Sequence, residues 1–200
     1  MCNLYEVGPT PRSRRFEWES QIEEALGEVA YVAPGRKGIV VRLTPDGMKA
    51  AAMRWGFARP WSDCINNARD DKLDGRTWAD PFAHRRCVLP MRGFFEWSGP
   101  KGSKTKHRIV AEEEYWTWVA GIWEEAPGDE TGFAYSMLTT AANEEMGEIH
   151  DRMPVILPAS SVEEFVGSTA EKARGLVKPF EGELSIMPPP PAKELEFDFA

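Results

Sequence analysis

Runs of apolar residues, and the turn signals between them, divide this chain into short elements. Residues 38–43 form a β-branched run between a glycine and the turn sequence Thr44-Pro45-Asp46-Gly47. That pattern predicts a strand, a tight turn and a hairpin partner over 48–55. Upstream, Ile22, Ala25 and Leu26 share one face at helical spacing, so a short helix is expected from near residue 15 to 30. Pro34-Gly35 marks a turn. The polar stretch 60–74 reads as a loop and 78–84 as a short helix. Strands are expected over 86–90, 93–97, 107–111, 116–122, 133–139 and 155–157, with a short helix or turn over 143–149. A further helix starts at 161, with Ser160 or Ser161 as its N-cap. Four consecutive prolines, 188–191, cannot continue a helix, and the acidic residues 192–200 after them read as an extended tail. No internal repeat is present. The expectation is a single α+β domain over 1–185 followed by a Pro-rich acidic tail over 186–200.

Composition narrows the class. At 42% hydrophobic and 28% charged, the 200 residues suit a globular domain with a sizeable core. No apolar run reaches the ~20 residues of a membrane span. Arg12, Arg14 and Arg15 lead into an acidic stretch with no apolar core, so no signal peptide is read. The three cysteines, Cys2, Cys64 and Cys87, are odd in number and irregularly spaced, which disfavours a disulfide framework or a zinc site and points to a reducing cytosol.

Charge is unevenly distributed. Residues 1–110 carry 19 Lys/Arg against 13 Asp/Glu, a net of +6, while residues 111–200 carry 5 against 19, a net of −14. In the basic half, Arg54, Arg59, Arg69, Arg76, Arg85, Arg86 and Arg92 interleave with Trp55, Phe57, Trp61, Trp78, Phe94, Phe95 and Trp97. Cations beside flat aromatic faces are what a groove for single-stranded nucleic acid requires. Two ordinary solvated faces would give the same asymmetry.

Four places carry candidate chemistry. Cys2 follows the initiator Met1. Removal of Met1 would leave an α-amine and a thiol on one residue, a 1,2-aminothiol able to close a thiazolidine ring on an aldehyde. Either group needs only a modest shift to be nucleophilic at neutral pH. The alternative is an incidental cysteine. Asn66-Asn67-Ala68-Arg69 offers an amide to orient a reacting oxygen and a guanidinium for a phosphate, or a plain Asx turn with a surface arginine. Glu96, in Phe94-Phe95-Glu96-Trp97, is either a partly desolvated acid/base group or the wet side of a strand. His150, in His150-Asp151-Arg152-Met153-Pro154, is either a proton shuttle or a capping residue.

Taken together, these pieces resemble the SOS-response-associated peptidase family, whose members process abasic sites in DNA. The resemblance rests on Met1-Cys2, Tyr31-Val32-Ala33-Pro34-Gly35, Trp55-Gly56-Phe57, Asn67-Ala68-Arg69 and Gly93-Phe94-Phe95-Glu96-Trp97. It is completed by Thr139-Thr140-Ala141-Ala142-Asn143 and Ile149-His150-Asp151-Arg152-Met153-Pro154, in the family's order, and it covers roughly residues 1–170. It implies a β-barrel-like core of mostly antiparallel strands with peripheral helices. It also implies that Cys2, freed by self-removal of Met1, crosslinks the abasic aldehyde as a thiazolidine. Asn67, Glu96 and His150 would be its active-site partners.

The DNA contacts expected are Arg54, Trp55, Arg59, Trp61, Arg69 and Arg152, with Arg69 on a phosphate. The implied partner is single-stranded DNA containing abasic sites. The protein would be a cytoplasmic monomer, nucleoid-associated when bound, with no membrane partner and no metal or organic cofactor. Two departures stand out: Asn3-Leu4 where many members have Gly-Arg, and a C-terminus without the family's closing motif. Two other classes fit the residues alone: an N-terminal-nucleophile peptidase acting on other substrates, and a non-catalytic single-stranded-DNA-binding module with an inert Cys2.

Overall fold

The computed structural model describes residues 2–11, 14–26, 30–112 and 115–187. In chain order the strands are β1 Tyr5–Val7, β2 Ala30–Val32, β3 Lys37–Thr44, β4 Gly47–Trp55, β5 Phe57–Arg59, β6 Ser62–Ile65, β7 Asn67–Arg69 and β8 Arg86–Met91. They continue as β9 Gly93–Ser98, β10 Thr105–Ala111, β11 Thr117–Glu125, β12 Phe133–Ala141, β13 Arg152–Pro154, β14 Ile156–Leu157 and β15 Leu184–Met187. The helices are α1 Ser20–Leu26, α2 Ala79–His84, α3 Glu144–Gly147, α4 Val162–Gly167 and α5 Ala170–Gly175.

Hydrogen bonding closes a ring. β3 pairs with β4 and β8, β8 with β11, β11 with β12, and β12 returns to β4. The ring is antiparallel except at β12–β4, a barrel-like core with helices outside, and the fold is α+β as expected. The hairpin that opens it follows its turn signal. Thr44 pairs with Gly47, the Thr44 hydroxyl donates to the Gly47 carbonyl at 2.9 Å, and Gly47 takes φ +100°, the left-handed region that favours glycine.

A second sheet, ordered β15-β10-β9-β1-β2, lies against the ring. Its fourth strand β1, between β9 and the edge strand β2, pairs Tyr5 with both Val32 and Phe94. Tyr5 is fully buried. Its hydroxyl meets that of Tyr135 from the ring, and its ring meets Trp55 edge-on at 5.1 Å. Only glycine fits opposite this junction, because a Cβ at Gly38 would lie 2.2 Å from each hydroxyl. The junction anchors the N-terminal strand between the two sheets, and residue 2 is therefore inside the protein rather than on a trailing end.

The expected strands and short helices are present, with differences at the polar elements. The stretch 60–74, read as a loop, contains β6 and β7. Their residues lack apolar alternation, and their order comes from pairing with β5 and β12. β1, β2, β5, β13, β15 and α5 were not foreseen. α5 is capped by Thr169, whose hydroxyl accepts the Lys172 N–H at 3.4 Å. Ser161 does occupy the N-cap position of α4, but its side chain makes no capping hydrogen bond. The prolines and acidic residues of 188–200, and residues 27–29 of the expected first helix, lie outside the described residues.

Candidate active site

Strand β1 threads the N-terminal segment beside β9: the Leu4 carbonyl accepts the Phe95 N–H at 2.9 Å, and the Glu6 carbonyl accepts the Arg92 N–H at 2.7 Å. This places Cys2 in the core at 1% exposure. Its thiol donates toward the Leu4 carbonyl at 3.4 Å. Its carbonyl is clamped from β7 and the residue before it: the Asn67 side-chain amide donates at 3.0 Å and that of Asn66 at 3.4 Å. Asn66 also donates to the Asn3 side chain at 3.0 Å. Asn3 thus joins the clamp. Asn67 is nearly buried, and its Oδ1 has no hydrogen-bond partner. A buried acceptor left unmet costs ~1–3 kcal/mol, so it marks a place where a donor is wanted.

Glu96 is buried on β9 and acts on the same thiol. Loss of water and then the Glu96 charge push the Cys2 thiol up to about 12, with the Leu4 and Phe95 backbone groups partly opposing. A thiolate at neutral pH, allowed by the bare sequence, is therefore not the state of this buried residue. Directly opposite Glu96 on β10 is His107, whose Nε2 lies 2.7 Å from the Ser98 hydroxyl.

A second cluster adjoins through β12, which pairs with β7 on one side and β13 on the other. Thr139 is in register with both Arg69 and Pro154. Arg152 donates to Asp70 at 2.8 Å and to the Thr139 carbonyl at 2.6 Å, while its Nε is buried without a hydrogen-bond partner. Thr140 donates to the other oxygen of Asp70 at 2.8 Å. Arg69 stands half-exposed in a two-pronged pair with Asp71, both contacts 2.9 Å. His150 precedes β13. Its Nδ1 lies 3.0 Å from the Arg152 N–H and 2.8 Å from Asp151. A proton on Nδ1 would point to Asp151, and a bare Nδ1 would accept from Arg152.

The fold bonds Asn67 to Cys2 and brings the Glu96 charge to bear on the Cys2 thiol; Arg69 lies at the other end of β7 from Asn67, and Arg152, with His150 just before its strand, lies two strands along. One of the DNA contacts expected from sequence, Trp55, needs correction, and two others, Arg54 and Arg59, are engaged within the chain. Trp55 is 0% exposed, stacks parallel on Tyr135 at 6.3 Å and donates its Nε1–H to the Asn66 carbonyl at 2.8 Å. It offers no face to a base and instead supports the Asn66-Asn67 clamp. Arg54 is spent on the Gly56 and Asp63 carbonyls, both at 2.7 Å. Arg59 forms a two-pronged pair with Glu124 at 2.7 and 2.8 Å. Both arginines line a cleft of about 540 Å³ that also contains Glu124, Glu125 and Asp129, a poor seat for a phosphate. Trp61, by contrast, is 72% exposed.

Sequence reasoning gave no role to Asp70 and His107, and did not see that Asn66 and Asn3, both already noted, share the clamp on Cys2. Asp70 follows a motif already noticed, and proximity to it was the available signal. Nothing in the pattern distinguished His107.

The fold and the site define a barrel protein whose second residue is a buried cysteine, held by an asparagine clamp beside a carboxylate. The chain belongs to the SOS response associated peptidase (SRAP) family, which it matches over residues 1–190. It is similar to abasic site processing protein YoqW of Bacillus subtilis (strain 168), 27% identical over 181 residues, 81% of this chain and 80% of that one. It is also similar to abasic site processing protein HMCES of Xenopus tropicalis, 31% identical over 138 residues, 54% of this chain and 41% of that longer one. Among solved structures, a protein from Bordetella bronchiseptica matches with TM-score 0.75 at 20% identity, covering 94% of this chain and 100% of that chain. One from Bacteroides thetaiotaomicron matches with TM-score 0.71 at 19% identity, covering 92% and 91%. At these identities the structural likeness speaks for the fold alone.

Proposed function

We propose that this chain processes abasic sites in single-stranded DNA by capturing the lesion's aldehyde on Cys2 as a thiazolidine, after hydrolysis of the Met1–Cys2 peptide bond. The observation that carries this reading is the surroundings of Cys2: a clamp on its carbonyl, an unmet acceptor on Asn67 and the Glu96 charge beside its thiol. The relatives' names support the substrate.

The chemistry balances with the aminothiol and the aldehyde alone. The freed Cys2 amine adds to C1′ of the ring-opened sugar. An N–C bond forms, and the carbonyl oxygen takes a proton to give a carbinolamine. Loss of water leaves an imine. The thiol sulfur adds to the imine carbon, closing the five-membered ring, and the thiol proton passes to the ring nitrogen. Glu96 is the group beside the thiol able to carry that proton, and His150 is the second acid/base group. Asn67 Oδ1 would accept from the amine or from a sugar hydroxyl. Arg69 and the buried Nε of Arg152 would meet phosphate oxygens, and Trp61 would stack a base. A duplex would keep the lesion within the stack, so the single strand is the favoured substrate.

Intact mass, with and without an abasic oligonucleotide, tests this. The expected masses are a chain beginning at Cys2 and an adduct equal to chain plus oligonucleotide less one water. A chain that retains Met1 and still crosslinks overturns the mechanism. Turnover of unrelated peptides would indicate an N-terminal-nucleophile peptidase, and salt-sensitive reversible binding alone would indicate a binding module.

A further inference from the structure

The β9–β10 hairpin has two faces. Phe94, Glu96 and Ser98 alternate with Phe95 and Trp97, and their partners on β10 are Ile109, His107 and Thr105 against Arg108 and Lys106. The first set faces inward: Phe94 belongs to the core, and the buried Glu96 acts through its charge on the Cys2 thiol. The second set faces away from the ring. There the Lys106 ammonium lies 4.1 Å from the Phe95 ring centre and 5.8 Å from that of Trp97. Tyr31, 40% exposed, lies 5.8 Å from Phe95 on the same side.

The hairpin also carries the longest run of positive charges unbroken by an acidic residue in an acidic chain. Between Glu96 and Glu112 there is no acidic residue, while Lys101, Lys104, Lys106 and Arg108 are all present. Arg108 is paired with Glu6 at 2.8 Å, and the three lysines carry the other positive charges of the patch. Lys101 and Lys104 are exposed on the turn between the strands, which Gly99 and Gly102 shape with φ of +92° and +95°.

Position ties this face to the site. β1 pairs with β9 only at Gly93 and Phe94, and its last bond reaches Phe95 from Leu4. Past Glu96, the β1-side edge of β9 runs on without the β1 ladder. A strand leaving the Cys2 site over that edge meets Trp97, the residue next to Glu96, and then the lysines.

We propose that the outer face and tip of the β9–β10 hairpin hold the single-stranded DNA beside the lesion, with Lys101, Lys104 and Lys106 on phosphates and Trp97 against a base. Lys106 over the Phe95 and Trp97 rings, with Lys101 and Lys104 exposed on the adjoining turn, gives a chain of net charge −8 a local surface complementary to a polyanion with stackable bases. This rests on the function proposed above and adds a binding surface to it.

The test is the triple variant Lys101→Gln, Lys104→Gln, Lys106→Gln, with Arg69→Ala as the comparison. Two abasic oligonucleotides are used, one with a single nucleotide on each side of the lesion and one with long flanks. For the long oligonucleotide, anisotropy titrations across salt should show the triple variant at least about tenfold weaker. The slope of log affinity against log salt should fall by up to about 2, at ~0.7 per phosphate contact on a single strand. Affinity for the short oligonucleotide, and adduct yield at saturation, should match the wild type. Unchanged affinity and slope on the long oligonucleotide, with Arg69→Ala still weakened, would overturn the hairpin surface and leave the functional proposal standing. A wild-type chain that neither binds nor crosslinks would overturn both.

Discussion

Replacing Asn67 with alanine separates the needs of the fold from the needs of the chemistry. Asn67 donates one hydrogen bond, at 3.0 Å, to the Cys2 carbonyl. A bond of this kind contributes ~0.5–1.5 kcal/mol net. Its loss does not orphan the carbonyl, because the Asn66 amide still reaches that oxygen at 3.4 Å. The same substitution removes Asn67 Oδ1, a buried acceptor with no partner, and so relieves a cost of ~1–3 kcal/mol. The two terms oppose each other. Asn67→Ala should therefore leave unfolding free energy within about 1 kcal/mol of wild type, or raise it, although a nearly buried polar residue has been truncated. Adduct formation should behave differently. Without the clamp the reacting amine loses its position, and a displacement of ~1 Å costs on the order of 10²-fold in rate. Urea denaturation checks the first quantity and single-turnover capture of an abasic oligonucleotide the second. A variant destabilised by more than about 2 kcal/mol would show that Oδ1 is already satisfied in the folded protein. A variant that captures the lesion at the wild-type rate would remove Asn67 from the mechanism.

Three further outcomes follow from the same geometry. Cys2→Ala should abolish the covalent adduct and keep reversible single-strand binding, whereas Cys2→Ser should give at most an imine that hydrolyses on heating; a heat-stable serine adduct would contradict ring closure by sulfur. Arg69→Ala should weaken binding to all single-stranded sequences alike and lower the salt slope by about 0.7, and unchanged affinity at low salt would return Arg69 to a surface pair with Asp71. The fold should lose stability in alkali: burial holds the Cys2 thiol at about 12 against an ordinary 9.0, and Cys87, Tyr5 and Tyr135 are raised for the same first reason. The folded chain then keeps protons that the unfolded chain releases, so the contribution is whole below about pH 9 and is lost as pH rises toward 12; a urea midpoint that stays constant from pH 8 to 11 would refute it.

Where apolar pattern dictates structure, the sequence was legible. The β-branched run of β3, its Pro-Asp-Gly turn and the strands β8 to β12 are locally consistent, and pattern and pairing agree. β1 and β7 were opaque because each is three residues long and owes its order to partners far away in sequence: Phe94 and Val32 for β1, residues 137–139 for β7. The chemistry divided along the same line. Cys2, Asn67 and Glu96 could be nominated because their motifs carry a resemblance, but nothing local said that Trp55 would be sealed beneath the clamp or that Glu124 would occupy Arg59. Interleaved arginine and tryptophan is a pattern that both a DNA groove and a cation-rich core produce. Burial tells them apart, and burial is a property of the closed ring. Gly38 shows the limit most plainly: it reads as the start of a strand, yet its lack of a side chain is demanded by two tyrosine hydroxyls, one 33 residues before it and one 97 after.

On the proposed reading, the protonated thiol also fixes the order of bond formation. With Met1 attached, burial holds the thiol near 12, a poor nucleophile at neutral pH, so on this reading the amine freed by Met1 removal, rather than sulfur, leads the attack on the aldehyde. The amine must add first. Its imine then presents an electrophilic carbon within the same residue, and sulfur needs to shed its proton only at that moment, to a carboxylate already beside it. Burial that suppresses the free thiolate also protects it from oxidation and from stray electrophiles, since both act on exposed thiolate. Glu96 accordingly has opposite effects before and during capture. Its charge first helps keep the proton on sulfur, and it then offers the nearest place for that proton to go. Glu96→Gln would remove both effects at once, so a lower thiol pKa in that variant should accompany a slower ring closure rather than a faster one.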